Sequence, residues 1–273
     1  MSLLPLRKNF NLFNLITLII LLILSPAVSL ADAGRIFKEN SKAVVIIETY
    51  DEHGEPIGQG SGFIVRQDGA IVTNYHVISD ATDIKVRAGD KVLNVEGLLH
   101  IDKENDIVIL KVKGVKLQTV KIGDIQKLSV GENVYVISSP EGLENTISEG
   151  ILSGIREIDQ KRKILQITAP VSRGSSGGPV FNKDGEVIGI VTFIIEKAQN
   201  LNFAMPVNLI KDKITAKKVV TLKDTKIEKY KKTAQYWLVL GYYYQEAGMY
   251  KEAIEAYKQA IRIKPDLAEA HYN

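Results

Sequence analysis

The sequence predicts a mainly β protein with a short helical module at its C-terminal end. Short runs rich in apolar and β-branched residues follow one another from residue 44 to residue 205. Turn signals such as DG at 68–69 and AGD at 88–90 separate them, with no long amphipathic helix between. This pattern is typical of a β-barrel or a β-sandwich. From residue 234 the apolar period becomes helical. The predicted strands are 44–50, 62–65, 70–73, 84–87, 92–99, 107–112, 134–138, 147–155, 164–168, 187–195 and 201–205.

The amino-acid composition excludes several kinds of functional site. A chain of 273 residues has room for one two-lobed domain and a smaller module. It contains no cysteine, which excludes disulfides, thiol catalysis and thiolate metal sites. The net charge of +3 gives no argument for a nucleic-acid partner. The histidines outside the motifs, His53, His100 and His271, share no metal-ligand spacing, so we expect neither a metal nor a cofactor.

Residues 1–33 are typical of an export signal. Arg7 and Lys8 precede an apolar run at 12–24, and SP at 25–26 ends that run. Small residues then allow cleavage after Ala31 or Ala33. The alternative is an uncleaved membrane anchor, but the run is shorter than the roughly 20 apolar residues that span a bilayer. We therefore expect cleavage and export to the periplasm or the outside of a bacterial cell, with membrane contact restricted to this segment.

A serine flanked by glycines is the most informative feature of the chain. Residues 173–179 read RGSSGGP, and glycines allow the sharp backbone turn that exposes a serine hydroxyl and aims two N–H groups at one point. A flexible linker has a similar composition. However, PVF at 179–181 and a DG turn at 184–185 follow at once, which places the serine inside β structure.

Two upstream motifs complete a resemblance to a known family. His76 lies in TNYHVI at 73–78, and Asp106 opens the apolar run of NDIVIL at 105–110. With GSSGG at 174–178 they resemble, in order and context, the trypsin-like serine endopeptidases of the HtrA/Deg branch. The resemblance covers about residues 41–210 and also includes GSGFIV at 60–65, SPEGL at 139–143 and LNFAMP at 201–206.

The resemblance implies a fold and a set of roles. It implies that residues 34–212 form two six-stranded β-barrels side by side. His76 and Asp106 would come from the first barrel and Ser176 from the second. His76 would be the general base, Asp106 would orient it, and Ser176 would be the nucleophile. The backbone N–H groups of Gly174 and Ser176 would form the oxyanion hole. Two rivals fit the pattern less well: Ser175 as the nucleophile and Asp102 as the acid.

Specificity follows from the resemblance and from a charge argument. In the family, an acidic residue six positions before the serine selects basic substrate side chains. Here that position is Pro170. We therefore expect a neutral pocket for small or medium apolar side chains of protein or peptide substrates, with a wall formed near Val191, Thr192 and Phe193.

The C-terminal part differs from the best-known HtrA proteins, which continue into a PDZ domain. Residues 213–232 form a lysine-rich segment that we expect to be a solvated linker or surface helix; attraction to an anionic surface is the alternative. Residues 233–273 match the tetratricopeptide (TPR) pattern, and a second repeat begins at Ala268. One repeat cannot bury its own apolar face. We expect further repeats, the protease domain or another chain to cover it. The matching positions are Trp237, Leu240, Gly241, Tyr244, Gly248, Tyr250, Ala253, Tyr257, Ala260 and Pro265.

Two functions are compatible with these features. The first is an exported serine endopeptidase whose TPR module binds a protein partner, and the second is a binding scaffold with a catalytically idle protease fold. The complete set of motifs favours the first. We also expect residues 34–212 to fold and cleave short peptides alone, with Tyr242, Tyr243 and Tyr250 forming an aromatic binding surface on the module. A homo-oligomer is compatible with the resemblance, although the missing PDZ pattern weakens that inference.

Overall fold

The computed structural model describes residues 30–114, 116–139, 145–158, 162–194, 201–225, 227 and 232–272. The predicted signal peptide lies outside the described residues except for its last four, and so do most of the SPEGL motif and part of the lysine-rich segment. Those last four residues begin helix α1 (Leu30–Asn40), which the sequence analysis did not predict. Ile36 of α1 is fully buried. Within the described residues, no helix has both the length and the apolar character needed to cross a bilayer.

Six strands close into the first barrel. Their order around the barrel is β1-β2-β3-β6-β5-β4. A short helix, α2 (Tyr75–Ile78), follows β3. Apolar residues that alternate along the strands fill the interior, where Ile47, Ile71 and Leu110 are fully buried. The strands are β1 (Val44–Tyr50), β2 (Pro56–Arg66), β3 (Ala70–Asn74), β4 (Asp83–Ala88), β5 (Lys91–Asp102) and β6 (Ile107–Val112).

The second barrel repeats the topology of the first. Its order is β8-β9-β10-β13-β12-β11, closed by the pairing of β11 with β8, and the short strand β7 (Lys121–Ile122) adds to β12 in parallel. The prediction of two six-stranded barrels is therefore confirmed. The strands are β8 (Asn133–Ser138), β9 (Thr146–Glu157), β10 (Lys163–Ile167), β11 (Pro179–Phe181), β12 (Glu186–Ile194) and β13 (Asn202–Pro206).

The C-terminal helices form the predicted helical hairpin. Helix α3 (Ala234–Glu246) and helix α4 (Tyr250–Ile263) pack together, and α5 (Ala268–Tyr272) follows. The helices approach closely at Gly241, where an added Cβ would lie 2.6 Å from ring atoms of Tyr257. The Tyr257 hydroxyl donates to Gln245 Oε1 at 3.0 Å. A small residue facing an aromatic one is what the TPR pattern requires at these positions.

Helix α3 also contributes to the apolar core that the two barrels share. One apolar cluster fills the space between the barrels, and it includes Phe203 of β13 together with Val239, Tyr242 and Tyr243 of α3. The aromatic-surface prediction is therefore wrong for Tyr242 and Tyr243, which are buried against the barrels, whereas Tyr250 is 66% exposed. The expected self-sufficiency of residues 34–212 does not fit this packing either, because removing α3 would expose Phe203 to water.

Most described residues of the lysine-rich segment are exposed, and a few hydrogen bonds attach the segment to the first barrel. Val220 forms a β-bridge with Leu98 of β5, with N–H···O distances of 2.8 and 2.9 Å in the two directions. The Arg66 guanidinium donates to the Ile214 carbonyl at 3.0 Å. These contacts attach the segment to the first barrel.

Candidate active site

The structure brings His76 and Asp106 into direct contact. His76 lies on α2, directly after β3, and Asp106 lies immediately before β6, the neighbour of β3 in the sheet. His76 Nδ1 is 2.6 Å from Asp106 Oδ2, and the His76 backbone N–H donates to Asp106 Oδ1 at 2.8 Å. Because an ionised carboxylate only accepts, Nδ1 carries the proton and Nε2 is left as a base. The Asp106 side chain is 4% exposed and that of His76 is 24% exposed.

The backbone of Asp106 is held as firmly as its side chain. Its φ of 56° places it in the left-handed region, which aspartate tolerates better than most residues. The Asp106 carbonyl accepts from the Tyr75 N–H at 3.1 Å and from Asn74 Nδ2 at 2.9 Å. Asn74 is itself buried at the end of β3. These bonds fix the direction in which the carboxylate points.

Two overlapping turns present Ser176. The Ser175 N–H donates to the Ser172 carbonyl and the Gly178 N–H donates to the Ser175 carbonyl, both at 2.9 Å. Gly174 and Gly177 stand at the third position of these turns with φ values of 90° and 84°. A type II turn requires such a φ there, which explains the spacing of the two glycines in RGSSGG. Ser176 therefore lies at the apex of the second turn.

Thr192 connects Ser176 to Asp106. Its hydroxyl donates to Asp106 Oδ2 at 3.0 Å, and its carbonyl accepts from the Ser176 hydroxyl at 3.1 Å. One residue of β12 thus holds the acid and touches the serine. Thr192 was expected near the wall of a specificity pocket, and its side chain is buried against Asp106.

Ser175 occupies a different environment from its neighbour. It is 1% exposed, and its Oγ accepts from the Ser138 hydroxyl at 3.0 Å and from the Ser172 N–H at 3.3 Å. Its hydroxyl is therefore a structural group inside the second barrel. Asp102 is likewise engaged elsewhere, since its carboxylate accepts from the N–H and side-chain amide of Asn105. The structure thus places both rivals outside the contacts that join His76, Asp106 and Ser176.

Bonds from the first barrel fix the serine loop. The Ser61 N–H donates to the Ser176 carbonyl at 2.8 Å, and the Ser61 hydroxyl donates to the Gly174 carbonyl at 2.7 Å. The sequence analysis assigned no role to Ser61, which lies in the GSGFIV motif. The only indication of its role in the sequence is a hydroxyl residue between two glycines, directly before the apolar residues FIV. In the described part of the chain, no group accepts from the N–H of Gly174 or of Ser176, so both donors are available.

The residues predicted to line the specificity pocket differ in their exposure to solvent. Pro170 is exposed, and its carbonyl accepts from the Ser148 hydroxyl at 2.6 Å. Val191 is fully buried in the apolar interior of the second barrel. The side chain of Phe193 lies outside the described part of the structure. Among the described residues, His, Asp and Glu do not cluster in a way that could hold a metal ion.

Gly177 allows the two barrels to meet at the serine, and this makes a prediction. A Cβ there would overlap the Ser61 carbonyl oxygen and Thr73 Oγ1. We expect Gly177→Ala to lower the free energy of unfolding by roughly 2–5 kcal/mol through overpacking and a strained φ. The matched control is Gly185→Ala, where φ is 73° and the nearest atom is 3.5 Å away. It should cost about 1–2 kcal/mol. Urea unfolding measures both, and equal losses would contradict the packing argument.

Comparisons with known proteins match two parts of this chain to known families. Residues 60–190 match the family model of a trypsin-like peptidase domain, and residues 241–273 match a TPR repeat. A Pseudomonas putida (strain W619) protein named a probable periplasmic serine endoprotease DegP-like is 39% identical over 165 residues, covering 58% of this chain and 34% of the relative. The chain therefore spans about a third of the length of the first curated relatives that it matches.

Two solved structures share the fold. The serine endoprotease from Yersinia pestis aligns with a TM-score of 0.60 and 29% identity, covering 67% of this chain and 66% of that one. The structure of Deg5 aligns with a TM-score of 0.58 and 29% identity, covering 66% of this chain and 90% of that one.

Proposed function

Because the chain belongs to the HtrA/Deg branch of the trypsin-like peptidases and carries a TPR repeat, we propose that it is an exported serine endopeptidase. Its proposed substrates are unfolded or misfolded proteins. The observation that carries the proposal is the chain of contacts from His76 to Asp106 to Thr192 to Ser176.

The proposed reaction is acyl transfer to Ser176. Its hydroxyl hydrogen turns from the Thr192 carbonyl to His76 Nε2, and Oγ attacks the substrate carbonyl carbon. His76 returns the proton to the leaving amine, and water then releases the acyl group by the same steps. Asp106 keeps the proton on Nδ1 and stabilises the imidazolium. The N–H groups of Gly174 and Ser176, which donate to none of the described residues, are proposed to bind the oxyanion, each contributing about 3 kcal/mol.

The proposal is tested against the idle-scaffold alternative by incubating the purified protein with casein. A serine peptidase cleaves casein, loses that activity after treatment with a serine-directed sulfonyl fluoride, and keeps it in EDTA. An idle scaffold binds casein and leaves it intact. Casein that stays intact in the presence of folded protein contradicts the proposal, and loss of cleavage in EDTA alone contradicts a metal-independent mechanism.

The proposed substrate preference follows from the position of Pro170. The chain has no carboxylate at the position that selects basic side chains in the family. We expect short peptides with valine or alanine before the cleaved bond to be turned over faster than matched peptides with lysine or arginine at that position. Steady-state kinetics on the two peptides measures this. Faster turnover of the basic peptide would show that another acidic group serves the pocket.

The remaining parts of the proposal concern location and partners. The leader-like residues 1–33 and the periplasmic name of the relative support export. The TPR match supports a protein partner held by the helical module.

A further inference from the structure

Helix α3 lies directly behind the aspartate of the proposed triad. A cavity of about 10 Å³, room for about one water molecule, separates them. Asp106 and Thr192 line the cavity on the barrel side, and Val239 and Tyr243 line it on the helix side. Side chains of the TPR helix therefore border Asp106 on this side, together with barrel residues that include Glu104, Arg162 and Met205.

Contacts with both barrels fix α3 in this position. The Tyr243 ring stacks on Phe203 of β13 with centroids 4.7 Å apart. The Tyr242 hydroxyl donates to the Glu157 carbonyl of β9 at 3.2 Å, and burial raises its pKa to about 12, so it stays protonated. Gln235 at the start of the helix donates to the Glu104 carbonyl, two residues before Asp106, at 3.4 Å. The helix thus bridges the loop that carries the acid and the sheet that carries Thr192.

We propose that Val239 and Tyr243 are positioning residues of the peptidase site. They act through Asp106 and Thr192: they exclude bulk water from the rear of the carboxylate and hold the two residues together. An ion pair between Asp106 and the imidazolium is stronger when solvent is excluded, and the imidazolium forms only during the reaction. Loss of Val239 or Tyr243 therefore raises the free energy of the transition state more than it weakens the binding of substrate. This inference rests on the proposed function.

A second face of the same helix belongs to the TPR hairpin. Leu238 packs with Ala253 and Tyr257 of α4, away from the protease. Neighbouring residues of α3 thus serve two different cores, since Val239 faces the barrels and Leu238 faces α4. This arrangement supplies a pair of variants in which apolar side-chain volume is lost from two different faces of one helix.

The test compares Val239→Ala with Leu238→Ala in the full chain, using a short peptide substrate. Val239→Ala enlarges the cavity behind Asp106, and we expect kcat to fall about tenfold with KM unchanged. Leu238→Ala lowers the melting temperature but leaves kcat within about twofold, because the cavity behind Asp106 is intact. Equal kcat values in wild type and Val239→Ala, or equal losses in the two variants, would overturn the inference.

A second pair of variants distinguishes the effect of losing the stacked ring from the effect of losing only the Tyr243 hydroxyl. Tyr243→Phe keeps the stack on Phe203 and should retain kcat, whereas Tyr243→Ala should lose it with KM unchanged. If Tyr243→Ala does not fold, the Val239 and Leu238 pair still decides. A Tyr243→Ala protein that is folded and fully active overturns the inference and leaves the proposed function standing. A wild-type protein without peptidase activity overturns both.

Discussion

Replacing Ser176 by alanine is expected to abolish proteolysis, with cleavage of casein falling by about 10⁶-fold. Ser176 is the serine at the apex of the turn formed by Ser175 to Gly178, and its hydroxyl touches the carbonyl of the residue that also binds Asp106. Alanine removes the nucleophile and leaves the turn unchanged. The measurement is the rate of casein cleavage by equal amounts of folded protein, with folding verified by circular dichroism.

The matched control is Ser175→Ala. The Ser175 hydroxyl is buried and bonded to Ser138 and to the Ser172 N–H. Its loss leaves those groups without a partner and should lower the free energy of unfolding by about 1–3 kcal/mol. The cleavage rate should stay within about tenfold of wild type, because no step of the reaction uses Ser175. If the two folded variants lost activity equally, the assignment of Ser176 as the nucleophile would be wrong.

The second large effect is expected from Asp106→Asn. An amide that donates to Nδ1 of His76 forces the proton onto Nε2, where it blocks acceptance of the serine proton. The turnover of a short peptide should fall by about 10⁴-fold. The shape of the residue is preserved, so the fold should survive even though Asp106 accepts from the His76 N–H and from Thr192.

Asp102→Asn is the control for this prediction. Asp102 is an acid four positions upstream whose carboxylate binds Asn105. Its replacement should change peptide turnover by less than about tenfold, since it does not contact His76. Comparable losses in the two variants would mean that negative charge near this loop, rather than the contact with Nδ1, supports the reaction.

The site was predictable where its logic is local. The glycines of RGSSGG mark the turns at Ser176, and the polar residues TN before His76 interrupt an apolar strand in a way that has no packing reason. The contact between His76 and Asp106 depends on the fold as well, because it forms where β3 and β6 lie side by side in the first barrel. A motif that fixes local backbone geometry can be recognised before the fold is known.

The features that escaped prediction depend on contacts between distant parts of the chain. The roles of Thr192 and Ser61 arise where one barrel meets the other, and a lone hydroxyl residue carries no signal of its partner. Helix α3 is apolar on two faces, and the sequence does not indicate that the second face packs against the barrels. Tyr242 and Tyr243 were therefore expected to form an exposed aromatic surface. They are buried because α3 packs on Phe203 of β13 within the apolar cluster that the two barrels share.

Covalent labelling of the purified wild-type protein by a fluorophosphonate tests the central claim most directly. The reagent reacts with a serine that is activated by a neighbouring base, and the modified residue is identified by peptide mass spectrometry. The account predicts one adduct per chain, on Ser176, that disappears in Ser176→Ala and persists in Ser175→Ala. A folded wild-type protein that takes up no label, or that carries it on another serine, would contradict the account.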